Sequence, residues 1–132
     1  GQLYIRNPIS QALEDEAVAL ATSNATGKEY PVGTIIRLIP REAMVKRGAS
    51  MTETAGWEFI NLAEEATGTV TIKERGGKEI TNQAGSCWTC HAPAKDYDYI
   101  CKKTNGCGTL EKFGVTDALI GQIQGSDSLC KK

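Results

Sequence analysis

Ile9, Leu13, Ala17 and Leu20 recur at intervals of three and four residues, the spacing that lines one face of a helix. Asn7-Pro8 supplies a start signal, with Asn7 as N-cap and Pro8 in the first turn, where its missing N–H removes no hydrogen bond. Glu14, Asp15 and Glu16 fall early, where the helix dipole favours acids. The pattern predicts a helix to about Ser23, followed by a polar, glycine-containing break over Asn24 to Lys28.

From Tyr30 the pattern changes to short β-branched runs. Thr34 to Ile39 is bounded by Pro31-Val32-Gly33 and Pro40, and Ala43 to Arg47 is ended by Gly48. Trp57 to Leu62 and Gly68 to Lys73 follow, the last closed by Gly76-Gly77. Short strands with short polar connections favour an antiparallel sheet, and no strand–helix alternation supports a parallel one. Thr116 to Gln124 carries Leu119, Ile120 and Ile123 and predicts a last short helix. The expected architecture is α+β: a sheet of about four to five antiparallel strands, an N-terminal helix and short C-terminal helices, in one domain over residues 1–132.

Composition narrows the function classes. A chain of 132 residues fits a single domain, and 40% hydrophobic with 23% charged residues describes a folded chain, not a disordered one. With 15 basic against 16 acidic residues the net charge is −1, without the basic excess expected of a nucleic-acid partner. No apolar run approaches the roughly 18 residues of a membrane span.

Cys87-Trp88-Thr89-Cys90-His91 reads C-x-x-C-H, the attachment signature of c-type haem. Two thiols three positions apart reach the two vinyl groups on one porphyrin edge, and the adjacent imidazole becomes the proximal iron ligand. His91 is the sole histidine of the chain and falls on the fifth motif position. A zinc site drawing on Cys101, Cys107 and Cys130 is the alternative, as is a redox dithiol, which expects a β-α-β context that the pattern lacks. Among the three other cysteines any two can pair. A Cys107–Cys130 disulfide would tie the C-terminal segment to the haem region, leaving Cys101 free, buried or paired between chains. Five cysteines lean towards an oxidising compartment, and the opening Gly1-Gln2-Leu3-Tyr4 fits a removed leader, so a periplasmic or secreted protein is expected.

Several segments between Tyr30 and Ile100 together resemble a known family. They are Glu29-Tyr30-Pro31-Val32-Gly33-Thr34 ahead of a strand, Ala43-Met44-Val45-Lys46-Arg47-Gly48, Gly56-Trp57-Glu58-Phe59, and Cys87 to His91 with Asp98-Tyr99-Ile100 downstream. The chain resembles the cytochrome P-460 and cytochrome c-prime-beta family. The resemblance implies an antiparallel sheet with helices packed on it, often in a homodimer. It also implies a haem on His91 with an open or weakly occupied opposite face. Members oxidise hydroxylamine or bind nitric oxide. In the hydroxylamine-oxidising branch a lysine on the strand after the glycine is cross-linked to the porphyrin. Here Gly33 is followed by Thr34, Ile35, Ile36, Arg37 and Leu38, without a lysine, and Lys46 lies on the next strand.

With one histidine, bis-histidine ligation within one chain is impossible, so Met44 and Met51 are the possible methionine ligands. Met44 sits mid-strand, where methionine commonly fills core; Met51 sits in a loop with longer reach. If the face of Ile36 and Leu38 lines the haem, the pocket is apolar and suits a small neutral diatomic; the Arg37 face would instead serve a propionate or an anion. Trp57 and Phe59 share a face that packs on core or porphyrin, and Trp88 is expected near the haem edge. Lys102, Lys103, Lys131 and Lys132 form a basic end that is solvated or guides a redox partner. The motif thus leads to a haem c protein, and the resemblance implies that it binds nitric oxide or a related nitrogen oxide. The alternative is a monohaem electron carrier with a filled sixth position; hydroxylamine oxidation ranks last, and no catalytic residue is assigned.

Overall fold

The computed structural model describes residues 3–38, 41–83, 85–102 and 116–126. Five strands form one antiparallel sheet in chain order: β1 (Tyr4–Arg6), β2 (Ile35–Arg37), β3 (Glu42–Lys46), β4 (Trp57–Glu64) and β5 (Val70–Gly76). Helix α1 (Gln11–Thr22) connects β1 to β2. A hairpin of β6 (Thr81–Asn82) and β7 (Gly85–Ser86) then leads directly into α2 (Cys87–His91). A 3-10 turn follows over Ala92–Tyr97, and α3 (Asp117–Ser126) is the last described element. No helix among the described residues is long and apolar enough to cross a membrane.

The α+β class and the antiparallel sheet agree with the hydrophobic pattern, and each β-branched run contributes a strand. The helix start differs. Ser10, not Asn7, is the N-cap of α1, its hydroxyl accepting from the Leu13 amide at 3.2 Å. Asn7 is buried and employed elsewhere. Its Oδ1 accepts from the Ile9 amide, and its Nδ2 donates to the Val32 carbonyl at 3.1 Å and to Thr34 Oγ1 at 3.4 Å. A buried amide must find partners, and these lie 25 and 27 residues ahead, outside the reach of a local cap signal. Ile9, counted on the helix face by spacing, is consequently 62% exposed, while Ala17 is fully buried.

Gly33 explains why the chain between α1 and β2 can come so close. Its φ is +92°, and a Cβ there would stand 2.6 Å from Ile9 Cδ1 and 2.9 Å from Asn7 Oδ1. Its amide donates to the Lys46 carbonyl at 2.8 Å, locking the entry of β2 onto the end of β3.

Register decides which residues share a face. Ile5 pairs with Ile36, Ile36 with Met44 and Met44 with Phe59, a row of buried apolar side chains crossing four strands. Ala17, Tyr30, Trp57, Ile80 and Ile100 complete this core, and Cys87, Trp88 and Tyr99 pack against it. Burying each large side chain of the row contributes about 1.5–3 kcal/mol. Ala43, Val45 and Ile60 form a second buried cluster, with Ile35 and Leu62 packed against it. By strand alternation Arg37 belongs with Ile35, away from Ile36. The motif therefore fronts the Ile36 side of the sheet.

Candidate haem-attachment site

The turn carrying the motif is built locally. Gly85, at φ +116°, permits the hairpin bend, and Ser86 caps α2 by accepting from the Thr89 amide at 3.2 Å. The Cys87 amide donates to the Ile80 carbonyl at 3.2 Å, tying the helix start to the core. Within α2, Cys87 and Cys90 are three apart and His91 is four from Cys87, so all three fall on neighbouring positions of one helical face. Cys87 and Cys90 are both half-buried free thiols.

His91 is fixed from behind. Its Nδ1 lies 2.7 Å from the Tyr99 carbonyl oxygen, and because a carbonyl only accepts, Nδ1 carries the proton and donates it. The lone pair is thereby on Nε2, which is the tautomer of a metal-ligating histidine. Burial holds the imidazole pKa below its ordinary value, which keeps the ring neutral. The Phe59 ring packs against the imidazole with centroids 5.6 Å apart.

The acceptor itself is held by an unusual stretch of backbone. Asp98 and Tyr99 are consecutive non-glycine residues in the left-handed region, with φ of 52° and 63°. Each costs about 1–2 kcal/mol, so the surroundings must impose them. They do so through the Asp98 carboxylate, which accepts from Lys46 Nζ at 2.8 and 2.9 Å and from the Tyr30 amide at 2.8 Å. The Asp98 carbonyl accepts from Trp57 Nε1 at 2.8 Å, and the Tyr99 amide donates to the Ala94 carbonyl at 2.9 Å. Lys46 and Asp98 side chains are each 4% exposed. The Lys46 ammonium also donates to the Ala55 carbonyl at 2.9 Å and lies 5.1 Å from the Trp57 ring centroid.

The donor set fits a haem of the c type: two free thiols on one helical turn, and an imidazole with its Nε2 lone pair free and its Nδ1–H engaged. It fits the alternatives less well. Cys101 is disulfide-bonded, so its sulfur is not a thiolate zinc ligand. No three His, Cys, Asp or Glu side chains converge to hold a metal ion among the described residues. Burial first, then the charge of Glu42, push the Cys87 thiol up to about 11, the opposite of the lowered value that makes a dithiol reactive.

The other residues singled out by sequence scatter. Trp88, within the motif, is half-buried and lies against Tyr99, ring centroids 4.6 Å apart. Trp57 is fully enclosed by core, edge-on to Tyr30 at 5.9 Å, so it is a core residue. Leu38 does not extend the Ile36 face, because β2 ends at Arg37; its carbonyl instead accepts from Gln124 Nε2 of α3 at 2.6 Å. Met44 is buried in the sheet row beside Phe59. Met51 is half-buried in the 3-10 segment Gly48–Thr54, its Cε against Gly77. The expected Cys107–Cys130 pair lies outside the described residues, as do Lys103, Lys131 and Lys132. Cys101, which that pairing left over, is disulfide-bonded, and its Sγ is 3.5 Å from His91 Nδ1.

Sequence reading missed the Lys46–Asp98 pair. Its one local signal is that Lys46 alternates with Met44 and so occupies a core-facing position, where a lone charge demands a partner. Comparison with protein-family models, with curated proteins and with solved structures finds no match for this chain.

Proposed function

We propose that this is a c-type monohaem protein, with the porphyrin joined to Cys87 and Cys90 and the iron held by His91, that binds nitric oxide or a related small nitrogen oxide. The observation that carries the reading is the His91 Nδ1–H bond to the Tyr99 carbonyl, which presents Nε2 as a ligand one residue after the second motif thiol. A bound haem would supply an iron coordination position for the diatomic. The chain supplies the proximal ligand, two attachment sulfurs, and an apolar sheet face of Ile36, Met44 and Phe59 on the same side as the motif. Lys46 supports binding over hydroxylamine oxidation: its ammonium is already engaged by Asp98 and the Ala55 carbonyl, so it is not free to bond a porphyrin. Export to the periplasm or cell exterior accords with the covalent haem and with the disulfide at Cys101.

The test combines intact mass under denaturing conditions with absorption spectra, using protein from a host competent in haem attachment. A covalent haem, a five-coordinate high-spin ferrous spectrum and nitric oxide binding are the expected results. A six-coordinate low-spin spectrum in both redox states would replace ligand binding with electron transfer. A bare polypeptide would overturn the assignment altogether.

A further inference from the structure

The buried Lys46–Asp98 pair does more than satisfy two charges. Side chains from two strands fix the direction of the Tyr99 carbonyl through Asp98, alongside the bond of the Tyr99 amide to the Ala94 carbonyl. The residue is left-handed at φ 52°, and its carboxylate is gripped by Lys46 from β3 and by the Tyr30 amide. Its carbonyl is gripped by Trp57 from β4. One residue later the Tyr99 carbonyl points at His91 Nδ1 from 2.7 Å. Glu29 is the other charged group facing Lys46, at 3.7 Å and largely exposed.

From this chain of contacts we propose that Lys46 and Asp98 are a positioning pair for the iron ligand: they hold the Asp98–Tyr99 backbone so that its carbonyl draws on the Nδ1 proton of His91 and sets the strength of His91 as a ligand. The inference rests on the haem assignment above. An imidazole whose Nδ1–H is engaged is a more basic donor at Nε2. A more basic donor favours ferric over ferrous iron, so loosening the acceptor raises the reduction potential.

The sign separates positioning from plain electrostatics. Lys46→Met removes a positive charge, which by field alone lowers the potential; Asp98→Asn removes a negative one, which by field alone raises it. The double variant Lys46→Met/Asp98→Asn leaves net charge unchanged and avoids an unpaired buried ion. The experiment is equilibrium redox titration of haem-loaded wild type and the three variants, with haem attachment read separately by mass. Positioning predicts a rise in all three, of about tenfold in the reduced-to-oxidised ratio, which is about 59 mV for one electron. A fall in Lys46→Met, or no change in the double variant, overturns the proposal while leaving the haem assignment intact. Should a single variant fail to fold, the double variant alone decides. Wild-type protein that carries no haem overturns both readings, and the mass measurement shows which has failed.

Discussion

His91 and Tyr99 are eight residues apart in sequence, yet the imidazole Nδ1 and the Tyr99 carbonyl oxygen meet at 2.7 Å. The 3-10 turn Ala92–Tyr97 and the two left-handed residues after it fold the chain back on the motif and make this possible. Pro93 fits at the start of that turn, where no helical amide bond is lost. The imidazole and the group that orients it thus belong to one short loop, itself pinned to the sheet by side chains from β3 and β4.

With the proposed haem attached, replacing His91 should remove its axial ligand and leave the covalent linkage in place. In His91→Gly the two motif sulfurs remain. The expected outcome is a haem still present by mass, an altered Soret band, and recovery of the wild-type band on adding imidazole. An unchanged spectrum in the variant would show that another group ligates the iron.

In protein made without haem attachment, Cys87 should behave as a half-buried, unreactive thiol. Burial and Glu42 push it up to about 11, so the thiolate fraction, and with it the alkylation rate, climbs about tenfold for each pH unit below that value. Peptide mapping after timed alkylation at pH 7, 8 and 9 reads this directly. Rapid modification of Cys87 at pH 7 would contradict it.

Lys46 and Asp98 should be costly to break and cheap to replace together. Asp98→Ala leaves an ammonium buried at 3% residue exposure, and losing one partner of such a pair costs about 3–5 kcal/mol. Lys46→Met/Asp98→Asn should recover most of that loss. Urea midpoints at constant slope measure both changes.

Glu58 carries a pH-dependent contribution of the ordinary carboxylate sign. It is largely buried, which by itself raises its pKa, but the hydrogen bonds from Arg75 and Arg47 outweigh that and hold it below its usual value. A carboxylate lowered in the folded state stabilises above its unfolded pKa, and that stabilisation disappears as pH falls through the folded value. Both arginines are about half exposed, so the effect is small, about 0.5–1 kcal/mol. Glu58→Gln should be less stable than wild type at pH 7, with the gap closing below about pH 4. Thermal unfolding of the two proteins from pH 3 to 7 tests it.

Met44 should answer as core and not as a ligand. It lies in the buried row between Ile36 and Phe59, so Met44→Leu, which conserves volume, should cost less than about 1.5 kcal/mol and leave the absorption spectrum unchanged. A spectral shift in that variant would place its sulfur on the iron.

The sequence by itself determined the sheet-forming segments, the main helix and the motif, because each is written in residues that are neighbours along the chain. β-branched runs between Gly and Pro breaks mark β2 to β5, and C-x-x-C-H needs only five consecutive positions. What it left unread was short or distant. β1 has three residues and the β6–β7 strands two each, too few to show alternation. Asn7 offers the same cap signal as Ser10, and only the arrival of Val32 and Thr34 beside it diverts its side chain from α1. The grip on His91 was equally hidden, for Lys46 and Asp98 are 52 residues apart. Periodicity reports which side of an element turns inward. Which buried charge, amide and carbonyl then satisfy one another depends on the packed chain, where every desolvated polar group must take whatever partner the fold brings within reach.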